Sequence, residues 1–519
     1  MAHDVSAAFT TASEASVNDV AYDVLVGWLK QYNSAATFFQ IDHSHLDGTD
    51  FLKGYGDDVT FFDKYEYNSE AANVISWDIS RKTNLYPYGV FIAQANVVLD
   101  NTSKKYLPGY DATIGAYIKP SRPLRIYAGF DKEIVQQFGG FTDIPSNTLV
   151  QRQTSLTAMD VMNYFETTEA ITNYFEGMLW NEIVEALLIE QGFSSAQYNL
   201  EPSTQPAIGY LSTSGVTLAD IFRKGCEAEQ ATMFCDEMGI IQLWNRFHYQ
   251  DVSTLAKSLT YDTVNDVDYV DTPIINYVRV LAKPRSVRAL QPVWQSDWAI
   301  QVAPGATVTV PINFVDDDGP MPVTAVLDPI FVASDKSDGS GTPSVDVIMS
   351  DFRLIGDTAF IDFENTGDDN MYVTSIQIQG TPAKVTGKII VEYKDQTSIN
   401  ANGINPSDNG KVIEITNDWI QNHGTARALA YTMVDEYKDA NQQLLVKPFP
   451  DPSLMYGDLI EMTIDDVDVY PRTCFLVGTR LSSDLSAILY QELTLDERNI
   501  RSYFRIDVSE LDGTDVLAA

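Results

Sequence analysis

The sequence predicts an α+β protein that is mostly β, and three observations carry that prediction. Segments rich in β-branched and aromatic residues keep returning between Pro-, Gly- and Asp-rich reversals along most of the chain. Only a few stretches hold helical spacing over several turns. A turn-rich, helix-poor tract at about 285–388 then interrupts a β pattern, as an inserted β-sandwich or small barrel would. At 519 residues the chain is long enough for about three or four domains with real cores.

Near the start, Val17, Val20, Ala21, Val24, Leu25 and Trp28 fall at helical intervals, which predicts a short helix over 18–29. The stretch 72–143 reads as strands at 74–80, 90–99, 114–118 and 124–128. Tyr86-Pro87-Tyr88-Gly89, Leu107-Pro108-Gly109 and Lys119-Pro120-Ser121-Arg122-Pro123 reverse the chain between them, because Pro fixes φ and Gly relieves it. From Ser155 the period changes. Met159, Val161, Met162 and Phe165 suggest a short helix, and Trp180, Ile183, Val184, Leu187 and Leu188 mark a clearer one over 178–191 that Gly192 ends. Thr217 and Asp220 have capping-box spacing ahead of Leu218, Ile221, Phe222 and Gly225. The turn Asp236-Glu237-Met238-Gly239 leads into a strand at 240–249.

Asn276 to Val280 reopens a β pattern. Inside the tract that interrupts it, 306–314, 345–349, 359–363 and 372–379 read as strands punctuated by acidic turns. Ala426, Leu429, Ala430, Met433, Val434 and Tyr437 then hold helical spacing without a break. Strands follow at 444–446, 459–464 and 489–493.

Composition excludes several functions. Lys and Arg number 34 against 72 Asp and Glu, a net charge of −38. A nucleic-acid binder needs cations to displace counterions from phosphates, so stable nucleic-acid binding is not expected. Such acidity serves solubility, suits a salty host cytoplasm, or lines a channel wall that repels DNA. No apolar run approaches the roughly 20 residues that cross a bilayer. The start has neither a basic segment nor an apolar core of a secretory signal, and Cys226, Cys235 and Cys474 form no C-x-x-C pair, so synthesis and folding in a cytoplasm are expected.

Patterns that carry chemistry are scarce. His43 and His45 stand without zinc-site spacing, and Gly380 with Gly387-Lys388 has the wrong interval for a phosphate loop, with Ile389 where Ser or Thr should hold magnesium. There is no G-x-S-x-G elbow. Carboxylates are too many for any pair to single out a glycosidase site. Asp316 to Asp318 have calcium-binding chemistry, although such turns are usually just solvated. Tyr86, Tyr88 and Tyr106 read as exposed aromatics suited to glycan contact, subunit contact or cover for a sheet face. No catalytic residue, metal ligand or cofactor is assigned.

One repeat stands out. FQIDHSHLDGTDFL at 39–52 returns as FRIDVSELDGTDVL at 504–517, identical at ten of fourteen positions. Phe39, Ile41, Leu46, Asp47, Gly48 and Leu52 match Phe504, Ile506, Leu511, Asp512, Gly513 and Leu517. A turn alone needs only Asp-Gly, so the shared apolar residues suggest two copies docking in similar grooves on a partner. A strand and turn that merely agree, or paired calcium sites on the aspartates, remain open.

The stretch 72–143, with its VVLDN exit, its P-x-R-P-L-R-I strand and its F-G-G-F-T-D turn, resembles the first β-domain of tail hub proteins of tailed bacteriophages. The helices and D-E-x-G turn at 160–255 resemble that family's second domain. Further likenesses are Tyr393 to Ile399 ahead of Gly403, Trp419 to Gln421 and the helix after it, and Asp451-Pro452 with Gly457-Asp458 before a strand. Together they cover most of 72–500.

The resemblance implies two tube-type, β-barrel-like domains with the small α/β domain between them. The implied division is 1–70 as an N-terminal arm with the first repeat copy, 71–158 and 259–500 as the tube-type domains, 159–258 as the α/β domain, and 501–519 with the second copy. It also implies a virion protein of the tail, made in the host cytoplasm: a homotrimer that adapts a sixfold tube to a threefold tip and lets DNA pass. Its partners would be an adjacent ring such as a distal tail or tube protein, the tape-measure protein, and tip or receptor-binding proteins. A tail-tip protein that binds glycan or degrades the envelope is the alternative, and an acidic surface protein of several β-domains is a third.

Overall fold

The computed structural model describes residues 3–497 apart from 15–19, 31–64, 83–87, 131–132, 149, 172–173, 214, 272, 297, 318, 356–357, 440–441, 465–468 and 485–487. Among the described residues the protein is α+β and mostly β, and one sheet of fourteen strands dominates it. A short helix, α1 (Ala7–Ser13), precedes β1 (Val20–Lys30), β2 (Tyr65–Ser69), β3 (Val74–Lys82) and β4 (Gln94–Asp100). Next come β5 (Pro123–Phe130), β6 (Glu133–Thr142), β7 (Ser146–Thr148) and β8 (Gln153–Met159). After a long excursion the sheet resumes with β9 (Leu255–Thr260), β10 (Val264–Asp271), β11 (Gln442–Pro448), β12 (Leu459–Ile464), β13 (Val469–Ser483) and β14 (Leu489–Asp496). Its main path is β10-β11-β14-β13-β3-β4-β8-β6-β5-β1-β2, with β9 on β12, β12 on β13 and β7 on β8.

The helix expected over 18–29 is instead strand β1, and the short helix lies earlier, at α1. Val24, Val26 and Trp28 are buried two residues apart, so a strand's period of two describes the stretch better than the helical spacing did. Gly27 is required there: a Cβ would stand 2.6 Å from Pro123 Cγ and 2.7 Å from Tyr65 Cβ.

Three other expectations change. The strand over 90–99 is two elements, Gly89–Val90 in a smaller sheet and β4. The strand over 114–118 is a 3-10 turn, Gly115–Tyr117, where the Asp111 carboxylate accepts from the amides of Thr113 and Ile114. The helix expected from Ser155 is β8, with Leu156 and Ala158 buried in alternation, followed by a 3-10 segment, Val161–Glu166, that Asp160 caps.

The sheet is built twice. β2, the 3-10 turn Ala71–Asn73 and β3 are matched by β9, the 3-10 turn Tyr261–Thr263 and β10. β3 pairs antiparallel with β4: Val74 faces Leu99, a bulge follows, then Ser76 faces Val98, Trp77 faces Val97 and Ile79 faces Ala95. β10 pairs with β11 in the same way: Val264 faces Pro448, a bulge follows, then Asp266 faces Lys447, Val267 faces Val446 and Tyr269 faces Leu444. The match continues from β4–β8 to β11–β14 and from β5–β6 to β12–β13, the last two pairs each breaking register at the same point, after Ile126 and after Met462. Two units of one topology therefore stand side by side, joined where β3 pairs with β13.

Between the units lies the excursion. Helices α2 (Trp180–Glu190) and α3 (Leu218–Glu229) form where spacing and caps place them, Thr217 accepting from the Asp220 amide. Gly225 lets the helices approach, since a Cβ there would sit 2.3 Å from the Trp180 indole. The strand expected over 240–249 ends at Trp244, and α4 (His248–Asp251) follows. Strand Ile274–Ala282 pairs with Ile389–Lys394 and Gly410–Thr416, and α5 (Gln396–Asn402) and α6 (His423–Tyr437) accompany them. One core unites α2, α3, α6 and this small sheet. The tract 285–388 has its own core, in which Phe314, Ile361, Phe363, Ile376 and Ile378 are buried between the Thr307–Asn313 sheet and strands paired with Met371–Val385.

Candidate functional site

The most heavily built feature is the seam where the two units meet. β3 and β13 pair antiparallel from Trp77 opposite Ser483 to Lys82 opposite Gly478. Trp77 and Ile79 on β3 are buried, and Leu481 and Leu489 of the second unit complete the first unit's core. The seam is therefore part of a hydrophobic core, not a surface contact.

Charged groups lock both of its flanks. At the end of β3, Arg81 pairs with Glu237, both side chains 4% exposed. Glu237 belongs to the 236–239 turn, whose backbone also accepts from Gln136 Nε2 of β6 at 2.8 Å. Beside them Asp160 is buried, accepting from the Ala93 amide at 2.7 Å and the Met162 amide at 3.0 Å. Burial pushes its carboxyl up to about 7, against the pull of those amides and of Arg81. Asp236 is raised as well, again mainly by burial. These groups tie the small α/β unit to the seam.

The opposite flank is held by α1. Ser6 donates its amide to Glu133 of β6 at 3.0 Å, and Phe9 packs on Phe130 with ring centroids 5.3 Å apart. From the same helix Ser13 reaches Asp451 at 3.3 Å, and Lys257 of β9 donates to both Ser13 (3.0 Å) and Asp451 (2.5 Å). Gln137 of β6 donates to the Pro452 carbonyl at 2.7 Å. α1 thus bridges the first unit and the Asp451 loop of the second.

A third polar centre lies within the first unit. Glu70, fully buried, accepts from Trp28 Nε1 at 2.9 Å, Lys105 Nζ at 2.6 Å, Asn73 Nδ2 at 3.0 Å and the Tyr106 hydroxyl. Burial and the Glu70 carboxylate raise the Tyr106 hydroxyl far above its usual range. Tyr106 is a core residue, which overturns its reading as an exposed contact. Tyr88 donates to Glu436 at 2.6 Å, and Tyr86 is outside the described residues.

Both repeat copies, Phe39 to Leu52 and Phe504 to Leu517, are outside the described residues. The first falls in sequence on the connection from β1 to β2, and the second follows β14. Asp316 sits on a small ladder, Val315–Asp316 with Gly319–Pro320, and among the described residues no group of three or more His, Cys, Asp and Glu could hold a metal ion. Sequence reading missed the seam and its flanking clusters. The available signals were slight: Val74 with Asp78 recurs as Val264 with Asp268, and Gln94 with Val97 as Gln443 with Val446.

No family model matches the chain, and no curated protein matches it. Solved structures do. The chain is similar to the 43 kDa tail protein of prophage MuSo2 from Shewanella oneidensis, at 10% identity and a TM-score of 0.43 over 83% of this chain and 95% of that one. It is similar to a tail protein from Neisseria meningitidis MC58, at 10% identity and a TM-score of 0.46 over 92% and 96%. It is also similar to the prophage tail protein gp18 from Listeria monocytogenes EGD-e, at 8% identity and a TM-score of 0.39 over 84% and 92%. These three structures are of tail proteins.

Proposed function

We propose that the chain is a structural hub of a phage-like tail, acting as a homotrimeric ring and not as an enzyme. The observation that carries this reading is the doubled sheet. A chain with two units of one topology, joined edge to edge by β3 and β13, presents two similar positions around an axis. Three such chains present six, the number needed to meet a sixfold tube while offering a threefold tip on the other side. The two units are then the tube-type domains of the hub. On this reading part of the net charge of −38 lines the inner wall, where it repels phosphates and lets DNA pass without being held. Its partners are an adjacent tail ring, the tape-measure protein and tip proteins.

Sedimentation velocity is the test. At micromolar concentration the chain is expected to run as a trimer, alone or once its tail partners are added. A monomer that stays monomeric with the partners present contradicts the reading.

The repeat belongs to the same proposal. Two copies per chain give six per ring, so each copy docks an equivalent position of the neighbouring ring. Removing residues 503–519 should leave a soluble, folded chain whose docking to that ring drops by at least about tenfold, the effect of losing half of a multivalent contact. Full docking by the truncated chain would show that the second copy has another use.

A further inference from the structure

The doubling leaves one joint incomplete inside a single chain. β3 has a neighbour on each side, β4 and β13. Its counterpart β10 has one, β11, and its other edge is open among the described residues. The counterpart of the β13 segment that receives β3 can also be located. On β14, Glu492 faces Arg480, Gln491 faces Leu481 and Tyr490 faces Ser482. On β8, the matching strand, Ser155 faces Ser146, Thr154 faces Asn147 and Gln153 faces Thr148. The segment equivalent to 480–482 is therefore β7, and β7 pairs only with β8 among the described strands. Each chain thus carries one made joint and the two open halves of another.

The side chains agree. Val74, Trp77 and Ile79 on β3 are buried at 8% exposure or less, whereas Tyr269 and Val270 on β10 are 43% and 45% exposed. The same contrast holds on the other half, where Leu481 and Ser483 are 3% exposed, yet Ile144 and Val150 beside β7 are 70% and 95% exposed. An open strand edge flanked by apolar side chains is a template for pairing, and proteins usually blunt such edges unless they are used.

Resting on the ring reading above, we propose that β10 of one chain pairs antiparallel with β7 of the next, repeating the β3–β13 joint between copies. The register follows from the internal joint, in which Asp78 faces Ser482, Ile79 faces Leu481 and Ser80 faces Arg480. Between chains, Asp268 faces Thr148, Tyr269 faces Asn147 and Val270 faces Ser146. The contact is head-to-tail, one edge on each side of every chain, and it closes because the internal and external joints alternate around the ring.

Disulfide trapping tests the joint. The native cysteines Cys226, Cys235 and Cys474 are all buried, so an engineered pair dominates the chemistry. Asp268 and Thr148 are both exposed, and facing residues in an antiparallel pair lie about 4.5–5.5 Å apart, within disulfide reach. The full chain with Asp268→Cys and Thr148→Cys is oxidised under conditions in which sedimentation shows the trimer. Covalent dimers and trimers should form at least about ten times more than with Tyr269→Cys and Thr148→Cys, whose side chains point to opposite faces. Trimers without trapping at 268 and 148, or with equal trapping by the control, overturn this joint and leave the ring reading intact. A link formed within one chain overturns it as well, since the edge is then filled by the chain itself. Absence of any trimer, with or without tail partners, overturns the ring reading and the joint with it.

Discussion

Replacing Arg81 with Met should destabilise the chain by about 3–5 kcal/mol, the cost of leaving one member of a buried ion pair uncompensated. Both side chains are almost wholly withdrawn from water, and the backbone carbonyl of Glu237 is itself held by Gln136 of β6. Removing the cation leaves a buried carboxylate without its counter-charge and next to that of Asp236, which strains or protonates it. The double variant Arg81→Met with Glu237→Gln should recover most of the loss, because the pair contributes more as a matched unit than either charge does alone. Denaturant midpoints of the three chains against the parent check this. A single variant within about 1 kcal/mol of the parent would mean that the pair does not hold the α/β unit on the sheet.

The second large effect is a dependence on pH. Asp160 has a folded pKa of about 7 against an ordinary value of 3.8. A raised folded value means that the proton favours the folded chain. The stabilising contribution is complete below about 3.8 and is lost as pH rises through about 7. Over that span it is worth at most about 4 kcal/mol, at 1.36 kcal/mol for each pKa unit. Asp160→Asn removes the titration while keeping one oxygen to accept from Ala93 or Met162, at a cost that is the same at every pH. The difference in stability between variant and parent should therefore move in the variant's favour by up to about 4 kcal/mol between pH 4 and pH 8. A constant difference across that range would show that Asp160 is ionised throughout in the folded chain.

What could be read from the chain depended on how local its cause was. α2, α3 and α6 were legible because their apolar stripes and caps are contained within a few turns, as at Thr217 with Asp220. β1 was misread because Val20, Val24 and Trp28 satisfy both a helical and an alternating pattern, and only the partners β2 and β5 decide between them. Tyr106 was misread because a Pro-Gly loop looks exposed in sequence, while its hydroxyl is drawn inward by Glu70, a residue far away along the chain. The doubling of the sheet was nearly silent. Strands demand alternation rather than identity, so register and bulge position persisted where the residues did not, and Trp77 could become Val267 without changing the ladder. The two DGTD copies behave in the opposite way, with residues retained over fourteen positions. That contrast suits a contact made with a partner, where side-chain identity matters, against a scaffold in which only the pattern does.

The central claim is that two units of one topology in each chain become six positions around an axis. Electron microscopy of the purified chain, with its tail partners if the trimer needs them, tests it most directly. The account predicts a ring with a central opening, threefold overall and close to sixfold in its inner wall, each chain spanning two neighbouring positions. A compact particle without an opening, or a ring in which the two units of a chain occupy unlike positions, would contradict it.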